Sequence, residues 1–174
     1  LMANYPQLDN TRGVWNMKEV YDAVMGGYWP NAGARGVFAG GGTPTAVNTI
    51  DYITIVTTGN AADFGDLSRT TSRYTYDAPS SFTRGIWGGA SPAGTDIDYV
   101  HIMSTGNGAD FGDLTQGRLN ISATSNSTRG CFVAGSTPSN VDTIDYVNMA
   151  SIGNAVDFGD ISSAMHSRGT LSSP

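Results

Sequence analysis

The chain has 174 residues, enough to bury one core, and no apolar run approaches the roughly 20 residues that cross a bilayer as a helix. Charged residues make up only 14% while Gly alone contributes 23, a mixture that excludes a helical bundle and suits short strands joined by tight turns. A net charge of −6, with Lys18 the only lysine, leaves no basic block to follow a phosphate backbone and argues against a nucleic-acid partner.

Residues 1–34 form a leader unlike the rest of the chain. Its first residues lack the basic start and apolar stretch of a signal peptide. Asn16 stands three before Glu19, a capping-box-like start. Val20, Tyr21, Val24 and Met25 then share one helical face, and Gly26-Gly27 and Pro30 end the element. The expectation is a short helix that caps the following domain or attaches it to a partner.

From Arg35 onward the chain repeats. The segments Thr49 to Leu67, Asp96 to Leu114 and Thr143 to Ile161 align without gaps at an offset of 47 residues, and nine of 19 positions are identical in all three. These are Ile-Asp-Tyr (50–52, 97–99, 144–146), Gly-Asn (59–60, 106–107, 153–154) and Asp-Phe-Gly-Asp (63–66, 110–113, 157–160). An Arg-Gly pair precedes each segment, at Arg35, Arg84 and Arg129, so the copies span 35–83, 84–128 and 129–174.

Each copy reads as four short strands. The Arg-Gly run is the first, and the Ile/Val/Tyr/Thr-rich stretch from Thr49 and its equivalents is the second. Gly-Asn marks the next turn, because both residues tolerate positive φ. The third strand lies at Asp-Phe-Gly-Asp, and the fourth follows Arg73, Arg118 and Arg168. The second strand is apolar on both faces, with Ile50 and Tyr52 on one and Ile53 and Ile55 on the other, which predicts a sheet covered on both sides. The expectation is an all-β fold of β-propeller-like blades; a β-solenoid is the alternative. Propellers have typically 4 to 8 blades, so three copies would close a ring only with further repeats or with blades pooled from several chains. The next Arg-Gly pair would fall just past Pro174.

The repeated residues read as structural. Phe64, Phe111 and Phe158 are expected as buried anchors beside a tight turn at Gly, with Asp capping backbone N–H groups. Asp51, Asp98 and Asp145 are expected to pair with Arg35, Arg84 and Arg129, one bidentate contact per copy. Asp-Phe-Gly is also the metal-binding triplet of protein kinases, but the glycine loop, catalytic loop and paired lysine are missing. No nucleophile elbow, zinc-protease or phosphate-loop motif occurs, and a binding or structural role without catalysis, cofactor or metal is expected. Cys131, between Gly130 and Phe132, is expected as a small buried side chain. Tyr74, Tyr76 and Trp87 cluster between copies one and two, where they could touch a glycan or fill the space between blades.

The pattern Arg-Gly-Val-Phe-Ala-Gly-Gly, Thr-Ile-Asp-Tyr, Thr-Gly-Asn and Asp-Phe-Gly-Asp-Leu resembles the kelch-like repeats of tail-fibre and other structural proteins of tailed phages, especially marine cyanobacterial ones. The leader from Gly13-Val14-Trp15 to Trp29-Pro30 is similar to segments of such proteins. The resemblance implies a component of the virion surface: a fibre, a tail appendage or a capsid-attached protein. Its partners would be other virion proteins, met through the leader, and a host-surface glycan or protein. Assembly as a homo-oligomer would cover open blade faces, and ligand contact would lie in the loops Gly42 to Asn48, Ala90 to Thr95 and Ser136 to Asp142. A cellular, extracellular kelch-like module that binds carbohydrate or protein is the alternative.

Overall fold

A computed structural model describes residues 17–18, 21, 35–42, 45–68, 77–166 and 169–171. The chain divides into two units, Leu1–Ala34 and Arg35–Pro174. The expected leader helix lies outside the described residues except for Met17, Lys18 and Tyr21.

The second unit is all-β. Its strands are β1 Arg35–Ala39, β2 Thr49–Thr54, β3 Ala62–Asp66, β4 Arg84–Gly88, β5 Gly94–His101, β6 Ala109–Arg118, β7 Ser122–Ser125, β8 Arg129–Val133, β9 Ser136–Thr137, β10 Ser139–Asn140, β11 Thr143–Asn148 and β12 Val156–Asp160. They form antiparallel sheets in the orders β1-β2-β3, β4-β5-β6 and β12-β11-β8-β7, with a small β9-β10 ribbon. Among the described residues no helix is long and apolar enough to cross a membrane.

The three larger sheets share one register. Arg35 faces Thr54, Arg84 faces His101 and Arg129 faces Asn148. The ladder to the following strand slips between Ile50 and Asp51, between Ile97 and Asp98, and between Ile144 and Asp145. Opposite each slip stands Asp-Phe-Gly: Asp51 faces Asp63 and Ile50 faces Gly65, so Phe64 is the extra residue of a β-bulge. A bulge needs backbone freedom, and Gly65, Gly112 and Gly159 supply it at φ 146°, 143° and 132°.

The fourth strand departs from expectation. The segment after Arg118, β7, pairs with β8, the first strand of the next copy. Likewise Ser80, downstream of Arg73, bridges to Gly85 in β4. Each copy therefore adds its last segment to the outer edge of its successor's sheet, where an unpaired row of N–H and C=O groups would otherwise remain.

The core lies between sheets. One cluster joins Ile50, Phe64 and Leu67 of the first copy to Trp87 and Val100 of the second. The other joins Ile86, Ile97, Phe111 and Leu114 of the second to Phe132, Val147, Met149 and Ala155 of the third copy. Side chains alternate across a strand, so every sheet has two chemically different faces. The outgoing face, toward the next copy, carries Arg35, Val37, Ile50, Tyr52 and Phe64. The incoming face carries Phe38, Asp51 and Ile53, or Trp87, Asp98 and Val100 in the second copy.

Candidate functional site

The chemistry concentrated by the repeat sits at the seams where the outgoing face of one copy meets the incoming face of the next. The bulge turns the Phe64 carbonyl away from its own ladder, and it accepts the Gly106 N–H at 2.8 Å; Phe111 and Gly153 do the same at 2.7 Å. The Gly108 N–H donates to Asp66 O and the Ala155 N–H to Asp113 O, both at 2.7 Å. Asn107 Oδ1 accepts the Asp66 N–H, and Asn154 Oδ1 the Asp113 N–H, each at 3.1 Å. The approach is tight: a Cβ on Gly65 would stand 2.5 Å from Gly106 O, and one on Gly112 2.6 Å from Gly153 O.

The incoming carboxylates are held from across the seam. Ser68 Oγ donates to Asp98 Oδ1 and Thr115 Oγ1 to Asp145 Oδ1, both at 2.6 Å, and the N–H groups of Ser68 and Thr115 bond the second oxygens. Asp145 also pairs with Arg118 at 2.5 Å, with both side chains fully buried. Burial pushes the Arg118 guanidinium below its ordinary pKa, and the Asp145 charge and hydrogen bond oppose the shift. Arg118 Nη1 further donates to the carbonyls of Ala134 and Thr143, so this cation ties the end of β6 to β11 and to the turn that follows β8.

This arrangement corrects the expected pairing of Arg35, Arg84 and Arg129 with Asp51, Asp98 and Asp145. Arg35 shares a face with Tyr52, whereas Asp51, opposite Phe38, points to the other face. Each Arg stacks instead over the Tyr of its own copy: Arg35 on Tyr52 at 4.8 Å, Arg84 on Tyr99 at 5.1 Å, Arg129 on Tyr146 at 4.6 Å. Each Tyr meets its bulge Phe edge to face, at centroid distances of 5.8, 5.7 and 6.0 Å. From that stack Arg35 donates to Ile102 O and Arg84 to Met149 O across the seams.

Phe64 and Phe111 are buried, as their anchor role requires, but Phe158 is 55% exposed, because no described segment covers the outgoing face of the third copy. The Asp expected to cap the turn does so in that copy, where Asp157 Oδ1 accepts the Gly159 N–H. Trp87 is 5% exposed within the first inter-sheet cluster, so it is a packing residue and not a surface for ligand contact. Tyr74 and Tyr76 lie outside the described residues. Cys131 is partly buried on the outgoing face; desolvation raises its pKa and the Arg129 charge partly offsets this.

An open groove of about 380 Å³ runs along the rim of the second seam, lined by Ser81, Thr83, Arg84, His101, Ser127, Met149 and Ala150. Sequence reading missed it, since Arg84 and His101 are far apart in the chain. The Arg84–His101 register brings them together, and His101 stands edge-on to Tyr99. Two donors beside hydroxyls could bind a sugar or a small anion. Among the described residues no three His, Cys, Asp or Glu side chains converge as metal ligands would.

Fold and seams define an all-β protein of antiparallel sheets stacked through repeated contacts. No protein-family model matches the chain, and no curated protein is similar to it.

Proposed function

We propose that the protein is a non-catalytic structural component of a phage particle, a tail-fibre, appendage or capsid-attached protein whose sheets are kelch-like propeller blades. One observation carries this reading: eight of the nine positions identical among the copies serve sheet packing or the seams, and the ninth, the first Asp of Asp-Phe-Gly-Asp, lies on the exposed bulge, where Asp157 caps its own turn. Ile and Phe fill the clusters, and Tyr supports the Arg that reaches the next copy. Gly-Asn, the bulge carbonyl, the Asp of Ile-Asp-Tyr and the main chain of the last Asp of the bulge form the hydrogen bonds across. Repetition has been kept for assembly, as in a scaffold, and the copies differ most in connecting segments such as Ser136 to Asp142, which holds the β9-β10 ribbon in the third copy and where host contact would lie.

The reading is tested by mass spectrometry of purified phage particles from the source of the sequence, with antibody labelling of the same particles in the electron microscope. The expected result is the chain at fixed copy number at one site on the tail or capsid. Its absence from particles, together with glycan or protein binding by the free chain, would favour the cellular module instead.

A further inference from the structure

The two seams are the same contact made twice, and its two halves are each presented once more without a described partner. On the outgoing face of the third copy, Phe158 is 55% exposed where Phe64 and Phe111 are 3% and 2%. A Cβ on Gly159 would meet nothing within 4 Å, where Gly65 and Gly112 are in tight contact. On the incoming face of the first copy, Phe38 is 57% exposed where Trp87 and Phe132 are 5% and 1%. Ile55 is 62% exposed where Met149 is 2%, and Asp51 is exposed where Asp98 and Asp145 are buried.

We propose that the protein assembles head to tail, the outgoing face of the third copy in one chain receiving the incoming face of the first copy in a second chain. Apart from the Arg118 that reinforces the second seam, for which position 165 holds Met, the groups of the contact recur one to one. Gly59 and Ala61 hold the N–H groups, at the positions of Gly106 and Gly108, that would donate to the carbonyls of Phe158 and Asp160. Asn60 would accept the Asp160 N–H, as Asn107 and Asn154 accept those of Asp66 and Asp113. Ser162 stands where Ser68 and Thr115 stand, ready for the Asp51 carboxylate. Arg129, already stacked on Tyr146, is placed to donate to Ile55 O as Arg35 does to Ile102 O. Phe158 and Phe38 would enter the new cluster.

The occupant is a second copy of this chain, because the free halves are complementary to each other and neither is complementary to itself. Such a heterologous contact closes into a ring or runs on as a filament. The inference does not rest on the virion reading: a chain that stayed single could still be a particle component.

The test is the native mass of the 174-residue chain by analytical ultracentrifugation, from micromolar to millimolar concentration. The mass is expected to rise from 18.2 kDa to multiples of it. Phe38→Asp and Phe158→Asp, at side chains more than half exposed, should each weaken association by roughly tenfold or more, as loss of a central apolar anchor does. Each variant keeps the face the other lacks, so an equimolar mixture should give a 1:1 dimer that grows no further. Asn60→Leu, a surface change, should weaken association in the same direction. A wild-type chain that stays at the single-chain mass throughout would overturn the proposal. So would a single variant that associates like wild type, or a mixture that stays monomeric, since only a two-faced contact predicts complementation.

Discussion

Asp51, Asp98 and Asp145 occupy one position of the repeat in different surroundings, and the difference sets what each contributes. Asp145 is fully buried against Arg118, and its removal strands a cation in the interior. Breaking such a pair from one side costs about 3–5 kcal/mol. Asp145→Asn is therefore expected to lower unfolding stability in urea by that amount. Asp51→Asn, on an exposed side chain, should stay within about 0.5 kcal/mol of wild type in a dilute single chain. Equal losses at the two sites would mean that burial does not govern them. Cys131 gives a second residue-scale expectation. Desolvation favours the neutral thiol over the thiolate, and the thiolate is the species that reacts. The pH midpoint of iodoacetamide labelling of the folded chain should then lie above that of the chain in urea, with Arg129 moderating the gap. Coincident midpoints would show a solvated thiol.

At the scale of elements, the Asp-Phe-Gly-Asp strand does two jobs with one bulge: it buries Phe and offers the freed carbonyl to the next copy. Gly112 and Gly159 share a positive φ, 143° and 132°, so Ala at either position strains the backbone by about 1–3 kcal/mol. Only Gly112 also faces Gly153, with a Cβ 2.6 Å from main-chain atoms that cannot swing aside. Overpacking adds about 1–3 kcal/mol, so Gly112→Ala should unfold at lower urea than Gly159→Ala by that extra margin. This element was legible in sequence because its residues recur at fixed spacing: Gly for the turn, Phe for the core, strands on either side. Opposite charge and the bidentate habit of Arg favour an Arg–Asp pair, but the two-residue alternation of the strand sends Arg35 and Asp51 to opposite faces and forbids it. The exchange of the fourth strand into the next sheet was not legible at all. Ser122–Ser125 has a strand's composition, but nothing in it says which neighbour it pairs with. Trp87 could be read either way until its surroundings were known, since an aromatic residue fits a seam as well as a surface.

At the scale of the whole domain, stability is carried by contacts between successive sheets, so it should be distributed along the chain like that of a linear array. The sheet β4-β5-β6 makes a seam on each face, and Trp87, Ile97, Val100 and Phe111 are all nearly inaccessible within it. The first and third sheets each make one seam and leave Phe38 or Phe158 largely exposed. Local opening of a terminal sheet breaks one set of seam hydrogen bonds and one apolar cluster, whereas opening the central sheet breaks both. Amide exchange through local opening reports that difference directly. In a dilute single chain, the ladder amides of β5 are expected to exchange most slowly, with those of β2 and β11 faster although all three are central strands of their sheets. At concentrations where chains associate, β2 and β11 should gain protection while β5 changes little, because only the terminal faces acquire a new partner. If β2 or β11 outlasts β5 in the dilute chain, cohesion lies within the sheets and the seams contribute little to it.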